Sequence, residues 1–187
     1  MAFSMVGRAL RGRRAGEGKL TWHSPAAGAG ETFTLASPAF GDGGTIPLRH
    51  AATKAGQNLS PPLAWSGQPP QTAELVLIVE DADAPTPRPF VHCVARIDPA
   101  IGSLPEGALA PGAAVKGVTI GRGGLRQTGY TGPRPIAGHG PHHYVFQLFA
   151  LDRALTQPVT ISPRALAAAM SGRVIARARL TGVFELA

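Results

Sequence analysis

The sequence lacks the features that define several classes of protein. Its one cysteine, Cys93, has no partner for an internal disulfide, so nothing indicates an oxidising compartment and we expect a cytoplasmic protein. No apolar run approaches the roughly 18 residues of a membrane-spanning helix, and the basic start has no apolar stretch typical of a secretory signal. Only 16% of the residues are charged and 44% are hydrophobic, which excludes a disordered chain. We therefore predict a folded protein without a transmembrane segment.

Motifs that would indicate a familiar enzyme are also absent. The chain contains no GxSxG, HExxH, GxxxxGK[ST] or CxxC pattern. Cys93 follows His92 directly, and neighbours on a β-strand point to opposite faces, so the two do not form a nucleophile and base pair. We expect Cys93 to be a buried, inert residue. We predict no catalytic residue, no metal ligand and no cofactor.

Glycine and proline punctuate the chain, with 24 and 18 residues respectively. Between them lie short segments with alternating or apolar character, which are typical of strands separated by turns. Many short strands of this kind indicate a sandwich or a barrel. The segments are ETFTL, TIPLRHA, AELVLIVE, FVHCVARI, AAVKGVTI, HYVFQLFAL and GVFEL.

The C-terminal region shows helical signals. Ser162 is a suitable N-cap and Pro163 a suitable first helical residue, and strong helix formers follow them. A second helix is predicted over GRVIARARL, residues 172–180, because Val174, Ile175 and Ala178 would share one face. We therefore expect C-terminal helices that lie on a β fold.

The excess of positive charge is concentrated at the N-terminus. Residues 1–20 hold five basic residues and one acidic residue, which give +4 of the total net charge of +7. We interpret residues 1–30 as a flexible basic arm and residues 31–187 as the folded domain. Deletion of the arm should leave the melting temperature nearly unchanged. An alternative hypothesis is that the arm binds nucleic acid or an anionic membrane.

Two segments carry candidate chemistry. In EDADAP, residues 80–85, Asp81 and Asp83 would project from one side of an extended segment, although a bare DxD pattern is often only a turn cap. In the glycine-rich segment 129–152, His142 and Tyr144 would share one face of a strand. Glycine-rich turns expose N–H groups that suit an anion. The same carboxylates and histidines could instead ligate a divalent metal, so a hydrolase or metal-dependent enzyme stays an alternative.

Taken together, these residues resemble the phosphatidylethanolamine-binding protein family, in particular its bacterial, Raf kinase inhibitor-like branch. The resemblance runs from about residue 33 to residue 185. It is carried, in order, by SPAFGDGGTIP (37–47), NLSPPLAW (58–65), DADAP (81–85), PRPFVH ending at residue 92, LPEG (104–107), GYTGPRP (129–135) and GHGPHHYVFQLFALD (138–152).

The resemblance implies a mainly β protein, an antiparallel β-sandwich with C-terminal helices, and a small pocket for phosphate-like anions or phospholipid head groups. Asp81, Asp83, His92 and His142 would line this pocket, with Tyr144 at its rim. We add three residues of the glycine-rich loop to the expected ligand-binding set: Gly132, Pro135 and Gly140.

We therefore predict a non-catalytic binding module for a small anionic ligand or a phospholipid head group. The resemblance suggests a signalling or kinase-inhibitor-like regulator with a protein partner, and a homodimer as in bacterial relatives. We predict no specific binding of nucleic acid. If protonated His92 or His142 holds the anion, binding should strengthen as the pH falls through roughly 6.5, the ordinary pKa of histidine.

Overall fold

The computed structural model describes residues 2–28, 31–160 and 162–186. The fold is mainly β with few helices, as the sequence predicts. Its helices are α1 (Ala2–Leu10) and α2 (Pro163–Ala169). Its strands are β1 (Glu31–Thr32), β2 (Thr34–Ala36), β3 (Gly44–Thr45), β4 (Leu63–Ser66), β5 (Glu74–Asp81), β6 (Phe90–Ile97), β7 (Ser103–Leu104), β8 (Val118–Ile120), β9 (His142–Leu151) and β10 (Val174–Phe184).

The strands form two sheets of unequal size. The large sheet has seven strands in the order β1, β10, β9, β5, β6, β8, with β3 also paired to β10, and the small sheet has the order β2, β4, β7. Most pairs are antiparallel, but β1 and β3 run parallel to β10. The finer description, an antiparallel sandwich, stays a prediction, because the second sheet has only three short strands.

The large sheet is covered on both faces. Leu75, Leu77 and Val79 of β5 pack in the core that includes Leu35, Leu63 and Trp65 of the small sheet and its surroundings. Val76 and Ile78 pack on the opposite face, in a second core that contains Leu166 and Met170 of the C-terminal region. Burial on both faces explains why β5 is apolar without alternation.

The first predicted C-terminal helix is confirmed. The helix α2 begins at Pro163, and the Oγ atom of Ser162 accepts a hydrogen bond of 3.2 Å from the N–H of Ala165. This is the expected N-cap arrangement, because an N-cap side chain satisfies an otherwise unpaired N–H group of the first turn. Leu166 and Met170, four residues apart, turn to the second core.

The second predicted helix is wrong. Residues 174–184 form β10, which pairs along its length with β9. Burial along β10 alternates, with Ala176, Ala178 and Leu180 buried and Arg177 and Arg179 more exposed. This period of two residues is the mark of a half-buried strand. The sequence ARARL carries that period, and the helical interpretation overlooked it.

The N-terminal segment, residues 2–28, packs on the large sheet and differs from the flexible arm that the sequence predicts. It contains α1 and three short 3-10 turns, Glu17–Lys19, Thr21–His23 and Pro25–Ala27. Leu20 is 1% exposed, and the guanidinium of Arg177 lies 4.3 Å from the ring centre of Trp22. Whether residues 1–30 fold separately from residues 31–187 stays a prediction.

Backbone hydrogen bonds hold the N-terminal segment in place. The N–H of Thr21 donates to Oε2 of Glu80 at 2.7 Å, and the N–H of Trp22 donates to Oε1 of Gln147 at 2.7 Å. Ala15 and Gly16 extend the contact by donating to carbonyl groups of residues 84 and 82. Such anchors leave no periodic pattern in the segment itself. The feature that indicates docking of this segment lies in the large sheet, where Glu80 and Gln147 are buried polar residues that require hydrogen-bond partners.

Within the described ranges, no helix is long and apolar enough to cross a membrane.

Candidate ligand-binding site

Three neighbouring strands of the large sheet end or begin at the same end of the sheet, and residues at these strand ends form a pocket. Asp81 ends β5, while His142 begins β9 and His92 lies near the start of β6. These strands are antiparallel neighbours, so the three side chains come together. They line a cavity of about 250 Å³, whose other walls are Ala84, Pro85, Thr86, Phe90, Leu125, Gln127, Thr131, Arg134, Pro135 and Ile136.

His142 and Asp81 form a buried pair in this pocket. The Nδ1 atom of His142 lies 2.7 Å from Oδ2 of Asp81, and the two residues are only 1% and 4% exposed. The other carboxylate oxygen, Oδ1, accepts the N–H of Asp83 at 2.8 Å. Both oxygens of Asp81 therefore have partners inside the protein, so the carboxylate is a structural acceptor and fixes the ring of His142.

The chain of hydrogen bonds continues through His139, which the sequence analysis did not select. Its Nδ1 atom lies 2.7 Å from Nε2 of His142, and its Nε2 atom lies 2.9 Å from the carbonyl of Leu10 and 3.2 Å from that of Arg13. Both ring nitrogens of His142 are thus occupied. His142 cannot donate an N–H to a ligand while this chain is intact.

The protons in this chain can be counted. Carbonyl oxygens only accept, so Nε2 of His139 carries a proton, and each of the two remaining hydrogen bonds needs one more. The chain therefore holds three protons, whereas two neutral imidazoles hold two. With a third proton, on an imidazole or on the carboxyl group of Asp81, every hydrogen bond of the chain would have its donor.

The surroundings of His92 favour the neutral ring, whereas the pH dependence expected from the sequence requires a protonated one. Its Nδ1 atom lies 2.6 Å from the carbonyl of Thr131, which accepts the Nδ1 proton. Burial lowers the pKa of His92 and outweighs the hydrogen bond to Thr131, which raises the pKa. A neutral ring with its proton on Nδ1 leaves Nε2 as an acceptor. His92 can therefore receive a hydrogen bond from a protonated ligand group.

A β-bulge sets the position of His92. The pairing between β5 and β6 shifts between Val79 and Glu80, which are opposite Cys93 and Val91, so His92 is the extra residue. Strict alternation, which the sequence analysis assumed for His92 and Cys93, does not hold across this point. Bulges commonly redirect a side chain beside a functional site. Cys93 is nevertheless fully buried in the core between the sheets.

Asp83 does not line the cavity. Its Oδ2 atom accepts the backbone N–H of His143 at 2.7 Å and contacts Nδ1 of the same residue at 2.7 Å, while Oδ1 pairs with Arg14. Burial would raise the pKa of Asp83, but the hydrogen bonds from Arg14 and His143 outweigh burial and lower its pKa. The extended backbone ends at Asp81, whose side chain caps the following turn. The carboxylates of Asp81 and Asp83 therefore do not project from the same side of a strand.

Of the remaining predicted residues, one lines the cavity and three lie outside it. Pro135 lines the cavity, whereas Tyr144, Gly132 and Gly140 do not. The ring of Tyr144 packs edge-on against His92 with centroids 5.0 Å apart, and burial raises the pKa of its hydroxyl. The N–H of Gly132 donates to Asn58 at 2.7 Å and is not free for an anion. Gly140 has a φ of 104° and lies beside Arg14.

Arg134 is the lining residue of most interest that the sequence analysis missed. Arg134 is exposed, lines both this cavity and a neighbouring one, and makes no side-chain hydrogen bond or ion pair with the described residues. It stands between two prolines in the segment GPRP, whose backbone is rigid.

Within the described parts of the chain, no group of three or more His, Cys, Asp or Glu has an arrangement that would hold a metal ion.

Comparison with known proteins identifies the family. Residues 36–185 match the model of the phosphatidylethanolamine-binding protein family. The chain is 41% identical over 158 residues to LppC of Mycobacterium tuberculosis, which is named as a lipoprotein; the match covers 84% of this chain and 74% of LppC. The chain therefore belongs to the phosphatidylethanolamine-binding protein family, as the resemblance indicated.

Solved structures agree with this assignment. CT736 of Chlamydia trachomatis, a homologue of the phosphatidylethanolamine-binding protein, superposes with a TM-score of 0.74 at 31% identity, over 84% of this chain and 99% of that chain. YbcL of E. coli, described as a member of the mammalian family, superposes with a TM-score of 0.77 at 28% identity, over 83% and 99% of the two chains. The bacterial branch is thus the appropriate comparison.

Proposed function

We propose that this protein is a non-catalytic binding module whose pocket takes a phosphate-like group, either a free anion or the head group of a phospholipid. The observation that carries the proposal is that the exposed residue Arg134 lines this cavity and that its guanidinium has no partner among the described residues. The one carboxylate among the lining residues, that of Asp81, is engaged inside the protein. Guanidinium groups bind phosphate oxygens in a two-pronged geometry.

The hydrogen bonds of the pocket support an anion. An ionised, free Asp81 would repel a phosphate, but both oxygens of this carboxylate have partners inside the protein. His92 adds an acceptor that suits the hydroxyl group of a monoprotonated phosphate. Arginine, rather than an imidazolium, is then the main source of attraction in this proposal.

The remaining parts of the functional prediction rest on the resemblance. A signalling or kinase-inhibitor-like role, a protein partner, a homodimer and a cytoplasmic location stay predictions. The expected roles of Asp83, Tyr144, Gly132 and Gly140 become supporting ones in this proposal, because each is committed to contacts outside the cavity.

The test is a titration followed by calorimetry with inorganic phosphate and with phosphoethanolamine, on the wild type and on Arg134→Ala. We expect Arg134→Ala to weaken binding at least about tenfold, the scale of one charge-assisted hydrogen bond. Arg122→Ala is the matched control, because Arg122 is exposed and does not line the cavity. Equal loss in both variants, or no loss in Arg134→Ala, would overturn the proposal. Tighter binding of phosphoethanolamine than of phosphate would identify the head group as the ligand.

A further inference from the structure

A second cavity lies on the opposite face of the large sheet from the small sheet. It has a volume of about 280 Å³, and its walls come from the N-terminal segment, the loop after β5, and α2. Glu80 lies at its base on β5, and Leu20 and Ala167 contribute apolar surface. The first pocket shares no lining residue with it.

Three cationic side chains surround this second cavity. Lys19 comes from the N-terminal segment, Arg88 from the loop between β5 and β6, and Arg164 from α2. The ammonium of Lys19 donates to the carbonyl of Pro87 at 3.1 Å, which joins the N-terminal segment to the loop between β5 and β6. Arg88 and Arg164 make no ion pair or hydrogen bond through their guanidinium groups with any described residue. Three positively charged residues from three separate parts of the chain therefore line this cavity.

Glu80 is the one acidic residue among those that line the cavity. Its carboxylate accepts hydrogen bonds from other parts of the protein. Its Oε2 atom accepts the N–H of Thr21 at 2.7 Å and the Nε2–H of Gln147 at 2.8 Å. Burial raises the pKa of Glu80 and outweighs these hydrogen bonds, which lower it, so the group opposes a bound anion less than an ordinary carboxylate would. By holding Thr21, Glu80 also fixes the segment that supplies Lys19.

We propose that this second cavity binds the phosphate group of a small organic phosphate ester, with Arg88 and Arg164 as its charge partners and the apolar wall against its organic part. The volume approaches the roughly 300 Å³ at the small end of ligand pockets, which suits a metabolite rather than a polymer. Arginine side chains with no internal partner have their hydrogen-bonding groups available for phosphate oxygens. The site is complete only when the N-terminal segment is docked, because this segment provides one wall and one cation.

The test uses phenyl phosphate and the full chain, with ¹H–¹⁵N NMR spectra recorded during titration. We expect saturable shifts of the amide signals of Thr21, Val91 and Ala167, at an affinity that falls at least about tenfold in Arg88→Ala and in Arg164→Ala. Arg122→Ala, an exposed arginine outside both cavities, should bind as the wild type does. Glu80→Gln keeps an oxygen acceptor for Thr21 and should bind as tightly or more tightly.

Other results would overturn this inference. Shifts that do not saturate, or an equal weakening in all three arginine variants, would show only a general response to net charge. Weaker binding by Glu80→Gln, with the amide signal of Thr21 in the free protein unchanged, would contradict an anionic ligand at this site. The first pocket is followed separately through the amide signal of Thr131 and through Arg134→Ala, so each site can fail without the other.

Discussion

The Nδ1 atom of His139 lies 2.7 Å from the Nε2 atom of His142, and both rings are buried. This contact joins the pocket to the N-terminal segment, because the far side of His139 reaches the carbonyl groups of Leu10 and Arg13. The hydrogen bonds of the pocket therefore extend to a segment that lies outside the range matched by the family model.

The proton count of the chain can be observed directly. We expect NMR of a ¹⁵N-labelled sample to detect a scalar coupling between Nδ1 of His139 and Nε2 of His142, because one proton is shared between them. Nε2 of His139 should have the chemical shift of a protonated nitrogen. An unprotonated Nε2 on His139 would contradict the assigned chain.

Removal of His139 should disturb both the pocket and the N-terminal segment. We expect His139→Ala to lower the free energy of unfolding by about 2 kcal/mol, because Nε2 of buried His142 loses its partner. Urea denaturation measures the change, and limited proteolysis should show faster cleavage within residues 2–28. His23→Ala is the control, since His23 is exposed, and it should have little effect. Equal free energies of unfolding for the two variants would show that the hydrogen bonds of His139 do not stabilise the fold.

His92 should make stability depend on pH. Its pKa is lowered in the folded state from the ordinary value of 6.5, so the unfolded chain binds a proton more readily in the window below pH 6.5. Stability from this residue is present above that pH and is lost as the pH falls towards the folded pKa. We expect His92→Gln to reduce the difference in urea midpoint between pH 7.5 and pH 5.5. A residual difference should remain, because burial also lowers the pKa of His50. An unchanged difference would contradict a neutral His92.

Deletion of the N-terminal segment should destabilise the protein, contrary to the expectation from sequence. Without residues 1–28, the buried side chains of Glu80 and Gln147 lose the backbone N–H groups of Thr21 and Trp22. We expect the free energy of unfolding to fall by more than about 2 kcal/mol, the scale of a real packing and hydrogen-bonding defect. Deletion of residues 1–4 alone is the control. An unchanged melting temperature after the longer deletion would restore the interpretation as a dispensable arm.

Cys93 should react slowly with thiol reagents. It is fully buried, and burial raises the pKa of its thiol to about 12, so little thiolate exists at neutral pH. Labelling in native buffer should occur at the rate of unfolding and become fast in denaturant. Fast labelling of the native protein would indicate an open route to the core and would revive an enzymatic interpretation.

The sequence predicts best where local pattern and tertiary packing agree. The strand FVHCVARI has the predicted bounds of β6, and Ser162 caps α2 as its residue type indicates. The convergence of Asp81, His92 and His142 was expected from the resemblance, and the structure brings these three to one cavity.

The rest depends on relations that local patterns do not carry. The separation of Asp83 from Asp81 follows from a turn closed by a single hydrogen bond. The role of His139 depends on carbonyl groups more than a hundred residues away in the chain, at Leu10 and Arg13. The position of β10 was misread because apolar residues at helical spacing also occur by chance in a strand with alternating arginines.

The arrangement around β10 has a consequence for biosynthesis. β1 and β3, near the beginning of the chain, pair with opposite ends of β10, as in Glu31 with Ala176 and Gly44 with Gly182. β10 follows all other strands in the sequence, so β1 and β3 have no partner in the large sheet until β10 has been synthesised. The large sheet is complete only once residues 174–184 are available, and a chain truncated before residue 174 would leave one edge of β9 unpaired and open to other chains.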